Sequence, residues 1–148
     1  MGKRYLSVLV AFLALGGCGD PSGPSDTYKT YLEALSRGDL TQAFQLLSRA
    51  SQDRLASEEL TWLKKKTLAG EDTAAHEGDS VPGLRYFRVR LAGPDGENYP
   101  PLPADVADLV EAVEEDGDRA RLMISTPLGL KVAQMFREDG EWRVVLGF

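Results

Sequence analysis

The chain contains a single thiol, Cys18, and the residues that precede it indicate how the chain is processed. It follows an apolar run at residues 6–15, which itself follows the two cations Lys3 and Arg4. A positive start, an apolar run and small residues before a cleavage point are typical of an export signal. The run is too short to span the ~30 Å hydrocarbon core of a bilayer. We therefore interpret residues 1–17 as a signal peptide.

The end of this segment resembles the lipobox of bacterial lipoproteins. The motif is Leu15-Gly16-Gly17-Cys18, and the polar stretch GDPSGPS follows at residues 19–25. The resemblance implies that the Cys18 sulfur receives a diacylglyceryl group and that the chain is cut before this residue. Two or three acyl chains hold a protein on a membrane almost permanently. We expect residues 18–25 to be a lipidated cysteine and a flexible tether, the alternatives being a plain signal peptide or a buried cysteine.

The charge of the chain narrows the choice of partners. Its formal net charge is −6, and residues 1–17 contribute two cations and no acid, so the remainder has 15 Lys and Arg against 23 Asp and Glu, or −8. An acidic protein repels phosphate backbones. We expect no nucleic-acid partner, and a membrane contact made through the lipid anchor at Cys18.

The only histidine, His76, lies in a polar, glycine-rich stretch at residues 69–83 that reads as a loop. Its acidic neighbours are oxygen donors of the kind that hard cations prefer. They lack the alternating spacing and the closing glutamate of an EF-hand loop. We therefore expect a solvated loop histidine, with no metal and no cofactor.

Two carboxylates near the middle of the chain are the candidates for acid–base chemistry. Asp108 and Glu111 lie in a predicted strand at residues 106–115, where a carboxylate facing the interior would have a raised pKa. Alternation along this strand places Glu111 on the same face as Ala107, Leu109 and Val113. Glu111 is therefore the acid that lies among apolar residues. A bulge that returns Glu111 to solvent is the competing interpretation.

The spacing of apolar residues, which indicates the elements that would position these side chains, is helical in the first half of the chain. Tyr28, Tyr31, Leu32 and Leu35 have helical spacing, which predicts a first helix from Ser25 with both tyrosines in the core. Asp39 and Gln42 form a capping-box pattern that begins a second helix. A third helix is predicted over residues 57–68, with Leu60 and Leu63 facing inward.

In the second half of the chain, apolar and polar residues alternate, as is typical of β-strands. A strand is predicted at residues 84–91, and four more at 106–115, 119–126, 130–138 and 141–147. Asp116-Gly117 and Asp139-Gly140 separate alternating runs, which is a strong hairpin signal. Helices followed by an antiparallel meander predict an α+β fold, in which N-terminal helices pack on a curved antiparallel sheet.

This arrangement resembles the NTF2-like superfamily, also called SnoaL-like or cystatin-like, over residues 26–148. The segments that carry the resemblance are TYKTYLEALSRGDLTQAFQLLS, EEDGDRARLMIST and MFREDGEWRVV. It implies a cone of helices and sheet, with Trp142 packed under the helices, and it implies that two copies can pair as a homodimer through their sheets. Because the superfamily includes enzymes, carriers and interaction domains, it does not by itself select a function.

No catalytic pair of an acid and a base emerges from these residues. We therefore expect a membrane-anchored envelope lipoprotein with a non-catalytic domain that binds a partner protein or a small apolar ligand. The alternative is an enzyme of the isomerase or cyclase type that uses an inward carboxylate. If the cone encloses a cavity, the candidate residues for its lining are Tyr28, Tyr31, Phe44, Trp62, Glu111 and Trp142.

Overall fold

The computed structural model describes residues 23–71, 81–92, 110–126 and 129–147. Four helices precede four strands, so the α+β class predicted from the sequence is confirmed. The helices are α1 (Pro24–Ser36), α2 (Leu40–Gln45), α3 (Arg49–Leu68) and α4 (Leu84–Ala92). The strands are β1 (Val110–Asp116), β2 (Arg119–Thr126), β3 (Gly129–Glu138) and β4 (Glu141–Val145).

The strands form one antiparallel sheet in the order β1-β2-β3-β4. Both predicted hairpins are present, with turns at Gly117 and Gly140. Leu47 forms an isolated parallel bridge to Val144, so the chain between α2 and α3 partly covers the β4 edge.

One face of this sheet, the inner face, packs against the helices. Its residues are buried because alternate positions of each strand point toward α1, which contacts β1, β2 and β4. The core also joins α2 to α4, where the rings of Phe44 and Phe87 meet edge to face with centroids 5.7 Å apart. The buried apolar residues of the inner face are Ala120, Leu122, Ile124, Met135, Trp142 and Val144.

The predicted strand at residues 84–91 is wrong, because this segment is helix α4. Leu84 and Phe87 are three residues apart and only 3% and 0% exposed, while Arg88 and Arg90 are exposed. An eight-residue run of this kind fits both a strand and a helix period, and packing of α4 on α2 and α3 decides between them.

The predicted start of the third helix is also wrong. α3 begins at Arg49, with Ser48 as the N-cap residue whose side chain accepts the Ser51 N–H. Its buried positions include the polar residues Ser51 and Glu59, which is why the hydrophobic pattern did not indicate its first two turns. Leu60, expected to face inward, is 62% exposed because it lies one position beyond Glu59 on the helix. The predicted cap of α2 is confirmed, since Asp39 Oδ1 accepts the Gln42 N–H at 3.0 Å.

Candidate binding site

Several residues singled out in the sequence lie outside the described residues. They are Cys18, His76 and Asp108. Within the described ranges, no three His, Cys, Asp or Glu residues come together as ligands for a metal ion. In the same part of the chain, no helix is both long and apolar enough to cross a membrane.

Three of the aromatic residues expected to line a cavity belong to the packed core. Tyr31, Phe44 and Trp142 are 5%, 4% and 6% exposed and lie in one cluster with the buried residues of the sheet. Tyr28 packs against this cluster, its ring centroid 5.9 Å from that of Tyr31. These side chains therefore contribute apolar contacts between the helices and the inner face.

Burial of the Tyr28 side chain raises its pKa above the ordinary value of 10.0, because desolvation disfavours the phenolate. A phenol with a raised pKa stays protonated at neutral pH. Tyr28 is therefore suited to packing, with its hydroxyl able to donate a hydrogen bond.

Trp62 is not one of the buried residues of this core cluster and packs on Tyr86 at its edge. Its ring centroid lies 6.4 Å from that of Tyr86, and the Lys66 ammonium lies 5.5 Å from the indole centroid. The second contact has the geometry of a cation–π interaction. The five aromatic candidates for a shared cavity are thus divided between the core and the α3–α4 surface.

Glu111 lies at an irregularity in β1. Val110 pairs with Ile124 and Ala112 pairs with Met123, so two steps along β1 match one step along β2. This is the register of a β-bulge, the feature that the sequence analysis gave as the alternative for this residue. The Glu111 side chain lies outside the described residues.

A buried ion pair that the sequence did not indicate joins α3 to α4. Glu59 Oε2 accepts the Gly83 N–H at 2.5 Å, and Arg85 Nε lies 3.5 Å from Glu59 Oε1. The two side chains are 10% and 15% exposed. The hydrogen bond from the Gly83 N–H therefore connects Glu59 on α3 to the residue that precedes α4.

The face of the sheet opposite the core, the outer face, carries a groove with a volume of about 520 Å³. This outer groove crosses β2, β3 and β4, and the first turn of α3 forms its rim. The outer-face residues that line it are Arg119, Arg121, Gln134, Phe136, Glu138 and Val145, and the rim residues are Ser48 and Ala50.

The strand register arranges the groove in two rows. In one row, Arg121 pairs with Gln134, which pairs with Val145. In the other row, Arg119 pairs with Phe136, which pairs with Arg143. Each row therefore offers guanidinium donors beside an apolar side chain, a combination suited to binding a ligand that is both anionic and apolar.

Hydrogen bonds fasten the groove's rim to the sheet. Ser48 N–H donates to the Val144 carbonyl at 2.8 Å, and Leu146 N–H donates to Ser51 Oγ at 3.0 Å. The Glu138 carboxylate accepts the Arg49 N–H at the start of α3, with distances of 3.1 and 3.2 Å to its two oxygens. An acid at a helix N-terminus is stabilised by the free amide groups there. The rim is therefore a fixed wall of the groove.

No part of this groove was identified from the sequence as a site. The signal was present in the alternation of RARLMIST, which places Arg119 and Arg121 on the face opposite Ala120 and Leu122. Comparison with known proteins found no matching family model, no matching curated protein and no matching solved structure.

Proposed function

We propose that this chain is a bacterial envelope lipoprotein, anchored through acylated Cys18, whose domain binds a partner protein with the outer face of its sheet. The observation that carries the binding role is a set of exposed apolar side chains on the outer face of β3, which no described element covers. Leu130 and Val132 are neighbours on this face and are 58% and 57% exposed, and Phe136, beyond Gln134, is 37% exposed. Exposed apolar side chains grouped on one face are typical of protein interaction sites.

The packing of the core supports partner binding over an apolar ligand inside the cone. The aromatic residues that such a ligand would contact are Tyr31, Phe44 and Trp142, and they are buried against one another and the inner face. The outer groove, by contrast, is open and is bordered by both apolar and charged groups. Such a mixed surface is typical of a non-obligate protein interface.

Two observations support anchoring through Cys18: the lipobox motif, and the short stretch of chain between this cysteine and the first helix. Five residues, 19–23, separate Cys18 from α1, which begins at Pro24. At about 3.5 Å for each Cα–Cα step from Cys18 to Pro24, this tether reaches about 20 Å. An acylated Cys18 would therefore keep the domain next to the membrane, where an integral or peripheral partner is at high effective concentration.

The domain is proposed to be NTF2-like. Three N-terminal helices that precede an antiparallel meander, with helices on one face of the sheet, support this assignment. Helix α4, in place of the strand expected at residues 84–91, is a departure from the expected arrangement.

Site-specific photo-crosslinking in native membranes tests the binding role. A photoreactive amino acid replaces Val132 on the outer face or, as the control, exposed Thr61 on α3. We expect a discrete adduct from position 132, its loss in the same chain carrying Phe136→Glu, and no equivalent adduct from position 61. Equal labelling from both positions, an adduct with the mass of two copies of this chain, or an adduct that survives Phe136→Glu, contradicts the proposal.

A further inference from the structure

Two arginines of the outer groove have donors available for a ligand. Arg119 and Arg121 line the groove, while Ala120 between them and Leu122 beyond are 2% and 0% exposed on the inner face. Within the ranges that the structure describes, neither guanidinium makes a hydrogen bond or an ion pair. Each guanidinium has five N–H donors.

The third arginine of this face differs, because its donors are engaged. Arg143 donates to the Gln45 carbonyl at 2.7 Å and also to the Glu141 carboxylate. This side chain therefore ties β4 to the end of α2. The difference singles out Arg119 and Arg121 as the cations that the groove can offer to a ligand.

Acidic residues of β1 lie beside the two arginines without pairing with them. The register places Asp116 opposite Arg119 and Glu114 opposite Arg121. Neither of these cross-strand pairs closes to the 4 Å of an ion pair. The acids limit the net charge of the face, so a ligand must be recognised by direct contact with the guanidinium groups rather than by long-range attraction.

The spacing of the arginines matches an extended chain. Alternate residues of a strand are about 6.8 Å apart, which is twice the rise of ~3.4 Å per residue. Two carboxylates at positions i and i+2 of an extended segment have the same separation. Each can form a bidentate pair with one guanidinium, a geometry that Arg and carboxylate groups share.

Apolar side chains of the outer groove lie next to the two arginines. Phe136 pairs with Arg119 in the register and is 37% exposed, and Val145 lies in the row of Arg121. A segment that places its acids on β2 therefore has apolar side chains of the neighbouring strands beside it. Aromatic and arginine side chains are enriched at the centres of protein interfaces.

We propose that the outer groove binds an extended acidic segment of a partner protein. Two carboxylate side chains, two residues apart, pair with Arg119 and Arg121, and Phe136 lies beside the pair formed at Arg119. This inference rests on the proposed function and names the chemistry of the partner.

The test uses the full lipidated chain in neutral detergent and fluorescent octapeptides that each contain one leucine. One peptide has two glutamates two residues apart, a second has them three residues apart, and a third has two lysines two residues apart. Fluorescence anisotropy is expected to show affinity for the first peptide at least about tenfold above that for the other two, since charge-assisted pairs depend on geometry.

Arg119→Gln with Arg121→Gln is expected to lower the affinity for the first peptide at least about tenfold. The matched control, Lys64→Gln with Lys65→Gln, removes two exposed charges at the far end of α3 and should leave affinity unchanged. Equal losses in both double variants, or no preference among the peptides, overturn the inference. Tighter binding to anionic lipid vesicles than to any peptide also overturns it.

The same variants separate this inference from the proposed function. If the Val132 crosslink persists in the Arg119→Gln, Arg121→Gln chain, the outer face binds a partner without an acidic segment, and only the inference fails. If the peptides bind as expected but no crosslink forms in membranes, the proposed function fails. Unchanged thermal unfolding of the double variant shows that a loss of affinity reflects the groove and not misfolding.

Discussion

The phenol of Tyr28 provides a test of core burial by pH. Because burial raises its pKa in the folded chain above 10.0, the unfolded chain loses this proton first as pH rises. The Tyr28 contribution to the free energy of unfolding is therefore complete below pH 10 and decreases above it. In urea denaturation at pH 9 and pH 11, Tyr28→Phe should lose less stability between the two pH values than the wild type. Equal losses would show that the Tyr28 hydroxyl is solvated in the folded state.

Gly83 has a backbone conformation and a position that exclude a side chain. Its φ is +86°, and a Cβ atom there would lie 2.7 Å from the Ala56 amide nitrogen on α3. A left-handed alanine costs about 1–2 kcal/mol, and overpacking against backbone adds about 1–3 kcal/mol. We expect Gly83→Ala to lower the free energy of unfolding by about 2–5 kcal/mol in chemical denaturation.

Gly70 is the matched control for this substitution. Its φ is +73°, but a Cβ atom there would meet no atom within 4 Å. Gly70→Ala should therefore cost only the conformational part, about 1–2 kcal/mol. If the two alanine variants are equally stable, α4 does not approach α3 as closely as described.

At the scale of elements, Ser51 fastens α3 to β4. Its hydroxyl accepts the Leu146 N–H at 3.0 Å and lies 2.9 Å from the Ser48 hydroxyl, and the side chain is buried. Ser51→Ala leaves the Leu146 N–H without this partner, which should cost about 1–3 kcal/mol of unfolding free energy. Exposed Ser57 on the same helix is the control, and Ser57→Ala should change stability by less than about 0.5 kcal/mol. Similar effects of both variants would contradict the described attachment.

The elements that the sequence predicted best were those with strong local signals. The Asp39 cap and both Asp-Gly hairpins depend on residues within a few positions of each other, so their patterns were sufficient. The start of α3 and the helical state of residues 84–91 depend on tertiary contacts. Ser51 and Glu59 are buried because partners from β4 and α4 satisfy them, and no local pattern reveals those partners.

The candidate site was harder to predict than the fold for a related reason. The residues that the sequence offered for chemistry were Glu111, the tyrosines and His76, whereas the outer groove is built from arginines and apolar residues at alternate strand positions. Arg119 and Phe136 are 17 residues apart in the chain and become neighbours only through the β2–β3 register. Alternation identifies the face of each strand, but it does not show which face the helices cover.

For the whole molecule, the proposed anchoring and the proposed binding are coupled by distance. If Cys18 is acylated, a tether of about 20 Å would hold the domain near the bilayer, and a membrane-associated partner would meet the outer groove at high local concentration. Without residues 1–17 the net charge is −8, which would keep the rest of the surface away from anionic lipid. Under this proposal, weak recognition of an acidic segment would be sufficient for a stable complex.

The most direct test of the account is the mass of the full chain after extraction from native membranes with detergent. We predict residues 18–148 carrying a diacylglyceryl group and an added acyl chain on Cys18, recovered in the membrane fraction. The Cys18→Ser chain should lack this added mass and leave that fraction. A native chain that is unmodified and partitions in the same way as Cys18→Ser would contradict the account.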